Sequence, residues 1–103
     1  MKTIQELTQK MQTLVDEKGW SRPDSAKAQS PKNLAISLVL ESSEVLEHFQ
    51  WQEDVTDKSA LSLELADVML YLLQLAAITD IDLEAAVERK LEINHFRQWE
   101  SPQ

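Results

Sequence analysis

A single glycine, Gly19, and three prolines, Pro23, Pro31 and Pro102, are the strong chain-breakers in 103 residues. Sheets built from hairpins need a turn roughly every 8–12 residues, and those turns draw on Gly, Pro and Asn. A chain this poor in turn formers is restricted to long helices with few breaks. Its length suits one domain, residues 1–103, and is too short for two cores of ordinary size. With 43% apolar and 27% charged residues, it has the composition of a folded domain rather than of a disordered tail.

Periodicity and stop signals predict four helices. The first begins at Thr3, where Thr3 and Glu6 match a capping box, buries Ile4, Leu7, Met11, Leu14 and Val15 on one face, and stops near Lys18-Gly19. Residues 19–30 read as a loop with Trp20 as its one large apolar group. The second helix opens with Ser30 as cap and Pro31 in its first position and runs to about Gln50. Residues 51–58 form an acidic connection, the third helix covers about 58–78, and the fourth covers about 82–97 with Asp80 or Asp82 as its cap. The expected architecture is all-α, a four-helix bundle with short connections.

The carboxylates are unusually placed. At about 100° per residue, with Leu34 at zero, Ser37, Glu41, Glu44 and His48 share a narrow strip of the second helix between about 280° and 340°. Apolar residues flank that strip on both sides, while Glu47 falls outside it and reads as an ordinary solvent residue. On the third helix Glu64, Asp67, Tyr71 and Gln74 share a strip between about 320° and 40°, with Ala60 at zero. Most of the remaining circumference is Leu, Val, Met and Ala, so this helix is expected to be buried against several neighbours, with its acids facing inward or into a cleft.

Inward-facing carboxylates need a counter-charge, since each ionised group buried alone costs several kcal/mol and like charges raise each other's pKa. Residues 33–57 and 59–88 contain no Lys or Arg. The counter-charge therefore comes from Lys90 and Arg97 of the fourth helix or from metal ions. Oxygen ligands without cysteine suit Mg²⁺ or Mn²⁺ better than zinc. A structural bundle locked by carboxylate–arginine links is the bland alternative, because one E-x-x-E pair alone is common on helices.

The net charge of −8 sets the chain against nucleic-acid polymers, but not against a small anion bridged by cations. Glu64, Asp67 and Gln74 interrupt the longest apolar stretch, so no membrane partner is expected. The N-terminus reads without a signal-peptide core and there is no cysteine, which together favour the cytoplasm.

Written out, Glu41-x-x-Glu44 is followed after nineteen residues by Glu64-x-x-Asp67. The flanks are Asn33-Leu34, Phe49-Gln50-Trp51, Glu64-Leu65-Ala66-Asp67-Val68 and Lys90-x3-Asn94-x2-Arg97. The ordered set over residues 30–97 resembles the MazG-like all-α nucleoside triphosphate pyrophosphohydrolases, and within them the small single-domain branch that includes the dCTP pyrophosphatases. The resemblance implies an enzyme that cleaves an NTP or dNTP between the α- and β-phosphates, giving the monophosphate and pyrophosphate. It implies Mg²⁺ on Glu41, Glu44, Glu64 and Asp67. Lys90, Asn94 and Arg97 would approach phosphate or sugar, with Asn33 also on the substrate side, and Trp51 and Tyr71 would hold the base. Glu41 or Glu44 is the expected proton acceptor. The larger family often has another Glu immediately before the first motif Glu; here that position is Leu40.

The expected function is thus Mg²⁺-dependent clearance of unwanted nucleoside triphosphates, a dNTP such as dCTP or a modified pyrimidine, with Mn²⁺ as a substitute cation. The rival from another class is a catalytically silent helical module that binds nucleotides or dimerises. Because the third helix has more apolar surface than three other helices can cover, a homodimer or homotetramer is expected.

Overall fold

The computed structural model describes residues 3–19 and 29–97. They form four helices, α1 (Ile4–Glu17), α2 (Pro31–Glu47), α3 (Lys58–Ile78) and α4 (Leu83–Phe96), with no strand among the described residues. Trp20, the apolar group of the expected loop, lies outside the described residues.

Each helix starts where a side chain can satisfy its free amides. Thr3 and Glu6 form the capping box on α1. The Asn33 N–H donates to Ser30 Oγ (3.1 Å), with Pro31 next to the cap. Asp57 accepts from the Ala60 N–H and Asp82 from the Ala85 N–H, both at 3.0 Å.

The ends follow local chemistry as well. Gly19, just beyond α1, has φ 71°, a left-handed conformation that favours glycine. At the end of α3 the Asp80 N–H donates to the Ala77 carbonyl and the Ile81 N–H to the Ala76 carbonyl, the paired bonds of a Schellman stop. Asp80 occupies its left-handed position with φ 57°; a short polar side chain tolerates that region better than most. α2 stops at Glu47, three residues before the expected Gln50. The amides of His48, Phe49 and Gln50 tighten onto the carbonyls of Val45, Leu46 and Glu47, and Gln52 Nε2 donates to the His48 carbonyl (3.1 Å) where a further backbone amide would have done so.

α2 and α3 pack as an antiparallel hairpin joined by residues 48–57; α1 lies on α3, and α4 leans on α1. The core sits where α1 crosses α3: Met11, Val15 and Leu73 pack together, with Ile4, Met69 and Leu83 around them. Leu73 is 1% exposed, and burying such a side chain contributes about 1.5–3 kcal/mol.

The expectation that α3 is buried around most of its circumference is not met within one chain. Among its described residues Leu73 and Ala76 are buried, while Leu63, Leu65, Leu70 and Leu72 remain exposed. Two neighbours, α1 and α2, cannot cover a helix that is apolar nearly all round. Leu7 and Leu14, expected on the buried face of α1, also remain open at its edges. The radius of gyration, 16.3 Å, exceeds the about 13 Å typical of a compact domain of this length. By length and composition alone α3 would suffice to cross a membrane, but its mid-helix acids sit in the seam with α2.

Candidate metal centre

Spacing of i, i+3 puts both acids of a pair on the same helix face. The antiparallel hairpin brings the two pairs level, so that α2 presents Glu41 and Glu44 to Glu64 and Asp67 of α3. One carboxylate oxygen each from Glu41, Glu64 and Asp67 lies within 4.8 Å of the others. Glu44 stands beside them, close enough for its carboxyl to act on those of Glu41 and Glu64. Glu41 and Glu64 are half-buried, whereas Glu44 and Asp67 are exposed, because no described helix covers that flank of the seam. The inward orientation expected for all four acids therefore holds for one from each helix.

Burial pushes the Glu41 carboxyl above the ordinary 4.5, and the charges of Glu44, Asp67 and Glu64 push it the same way. The hydrogen bond with Glu44 is the largest cause raising Glu64, followed by burial and by the charges of Glu44 and Asp67; His48 pulls in the opposite direction. Neither Lys90 nor Arg97 contributes to either shift.

Glu41 Oε2 and Glu64 Oε2 are buried and accept no hydrogen bond. Carboxylate oxygens have no proton to donate when ionised, so two of them side by side without donors are suited to a cation. An all-oxygen set of three, with a fourth in reach, matches the donor preference of a hard divalent ion.

Around the cluster, Tyr71 is half-buried one turn beyond Asp67 on the same strip of α3. His48, also half-buried, lines a hollow of about 380 Å³ with Glu44, Glu47 and Glu64. Glu47, the last residue of α2, is thus part of the acid-walled hollow although the helical wheel set it apart.

The other predicted residues are dispersed. Asn33 lies exposed in the first turn of α2, and Trp51, past the end of that helix, is 88% exposed. Lys90 is exposed on α4, Arg97 is exposed just past its C-terminal end with extended backbone where the helix was expected to continue, and Asn94 between them is half-buried with its Oδ1 unpaired. Since α4 packs on α1, the described packing does not carry these three to the carboxylates. Leu40, at the position where the larger family often has a further acid, is exposed.

Comparison with known proteins gives the same pattern. The family model described as MazG-like matches residues 36–100. Human dCTP pyrophosphatase 1 (Homo sapiens) is 41% identical over 76 residues, 65% of this chain and 45% of the relative. The Mus musculus protein of the same name is 40% identical over the same shares. The chain spans less than half the length of these curated relatives. Across its whole fold it is similar to the crystal structure of a pyrophosphatase from Archaeoglobus fulgidus, with 32% identity, a TM-score of 0.78 and 95% of each chain covered. Four helices, facing acid pairs and a family match over more than half of the residues agree: the chain belongs to the MazG-like family.

Proposed function

We propose that the chain hydrolyses a nucleoside triphosphate to the monophosphate and pyrophosphate, with a dNTP such as dCTP or a modified pyrimidine as substrate and clearance of unwanted nucleotides as the purpose. The observation that carries this is the meeting of Glu41, Glu64 and Asp67 within 4.8 Å, with two buried oxygens lacking donors. The names of the similar proteins, dCTP pyrophosphatase 1 and a pyrophosphatase, support the reaction type.

Glu41, Glu64 and Asp67 would hold Mg²⁺, with Glu44 completing the set and Mn²⁺ as a substitute. When bound, the cation supplies neutralisation of the triphosphate, polarisation at phosphorus and a more acidic water. Without it a triphosphate and this cluster repel each other. Glu44, beside the three-oxygen group but outside it, would accept a proton at a carboxylate oxygen. Lys90 and Asn94 on α4, with Arg97 just past its end, would offer charge and hydrogen bonds to phosphate or sugar.

We also propose that the chain works as a homodimer or homotetramer. The support is its surface: 8518 Å², against about 5,900 Å² for a folded monomer of 11.8 kDa. Exposed Val39, Leu40, Leu46 and Leu63 supply the apolar part. Light scattering should give a multiple of 11.8 kDa, and a compact monomer would count against assembly. Such an enzyme would reside in the cytoplasm.

The activity test is a panel of common and modified (d)NTPs with Mg²⁺. Monophosphate plus pyrophosphate is the expected product pair. Release of inorganic phosphate would point to a phosphatase, and binding without turnover to a silent module.

A further inference from the structure

Within residues 33–57 and 59–88, which carry no Lys or Arg, His48 is the one side chain able to hold a positive charge. It stands one turn beyond Glu44 on the acid strip, at the point where α2 ends. Half-buried, it lines the hollow of about 380 Å³ together with Glu44, Glu47 and Glu64. Its charge acts on Glu64 in the sense opposite to the charges of Glu44 and Asp67.

The backbone beneath the ring is fixed from two sides. The His48 N–H donates to the Val45 carbonyl (3.2 Å). From beyond the helix, Gln52 Nε2 donates both to the His48 carbonyl (3.1 Å) and to Thr56 Oγ1 (3.0 Å). One amide group thus commits both of its protons to this turn. The imidazole is presented to the acids from a clasped turn and not from a frayed helix end.

A carboxylate that holds a cation through one oxygen leaves the other turned outward, and a hydrogen bond to that outer oxygen fixes the orientation of the group. Tyr71 stands beyond Asp67, at the other end of the cluster. At the Glu44–Glu64 end the imidazole is the donor that lines the hollow. An imidazole keeps an N–H whether neutral or protonated, so the role requires no particular charge state.

We propose that His48 is a positioning residue for the cation site: its ring N–H donates to the Glu64 carboxylate oxygen that the ion does not take, and the Gln52–Thr56 clasp holds the ring there. The assignment rests on the metal centre proposed above and adds the group that orients one of its ligands.

The experiment is titration of the full chain with Mn²⁺ alone, without nucleotide, counting the free ion by electron paramagnetic resonance. His48→Leu should weaken Mn²⁺ binding about tenfold, the lower end of what removing a hydrogen-bond partner of a metal ligand costs, with helical circular dichroism unchanged. His48→Gln, which keeps a side-chain N–H, should recover binding to within about threefold of the wild type. Gln52→Leu should weaken binding in the same direction, and should add nothing once His48 is already leucine, because it acts through that ring. Equal affinity of His48→Leu and the wild type would overturn the assignment. So would a His48→Gln chain as weak as His48→Leu, which would make the ring nitrogen itself a ligand. Additive losses in the double variant would overturn the clasp. A wild type that binds no Mn²⁺ would sink the metal centre and this role with it, an outcome distinct from a wild type and a His48→Leu chain that bind equally well.

Discussion

Both halves of α3 are rich in leucine, yet they do opposite work. In the C-terminal half Leu73 and Ala76 are buried against α1 and close the core with Met11 and Val15. In the N-terminal half Leu63 and Leu65 face outward, while Glu64 and Asp67 meet Glu41 at the seam with α2. One end thus contributes stability; the other concentrates like charge that opposes folding. A rigid helix joining them lets the apolar end hold the acid cluster in place. Fold stability and site chemistry are separated by about two helical turns rather than by a domain boundary.

That separation can be broken experimentally, beginning at the core. Leu73→Ala should destabilise by about 2–5 kcal/mol in denaturant titrations, while the Mg²⁺ concentration needed for half-saturation stays at the wild-type value. A matching loss of Mg²⁺ affinity would show that the two ends are one unit. At the acid end, Mg²⁺ at ~100 times its Kd should add about 2.7 kcal/mol, a melting increase on the order of 10 °C. Glu64→Gln should abolish that increase while leaving the helical circular dichroism intact.

Proton linkage sharpens the same contrast. The native Glu41 and Glu64 carboxyls titrate above their ordinary 4.5, so the folded chain holds protons that the unfolded chain has released. Their share of stability is full below 4.5 and is lost as pH rises through the native values. Without metal, the melting point of Glu41→Gln should therefore gain on the wild type between pH 4 and pH 7. A constant difference across that range would remove repulsion as the defining property of the acid end. The smallest expected effect lies far from both ends: Thr3→Ala removes the α1 cap at a cost of about 1 kcal/mol, with Mg²⁺ binding untouched.

Much of this was legible in the residues because helix boundaries depend on local chemistry. Thr3, Ser30, Asp57 and Asp82 cap where polar side chains precede apolar periodicity, and Gly19 and Asp80 stop helices in left-handed conformations. The i, i+3 acid pairs were visible for the same reason. What escaped depends on groups far apart in sequence. At the end of α2 the Gln52 side chain reaches back to the His48 carbonyl, and the hollow that includes Glu47 is closed by Glu64 from the next helix. A helical wheel records which faces are apolar but says nothing about which neighbours exist to cover them; α3 was expected to be enclosed and is largely open. The same limit applies to Lys90, Asn94 and Arg97: a common helical face was expected, but Arg97 lies past the end of α4, and the leaning of α4 on α1 was not visible.

The carboxylates sit in helix interiors, and residues 48–57 contribute none of the three that converge. Inserting one residue between Leu34 and Glu41 would rotate both α2 acids by about 100° and take them out of phase with α3. Lengthening the 48–57 connection rotates nothing. Angular phase is therefore the fixed quantity in this architecture and loop length the free one, so additions to the chain are accommodated at the tip of the hairpin and not along its shafts.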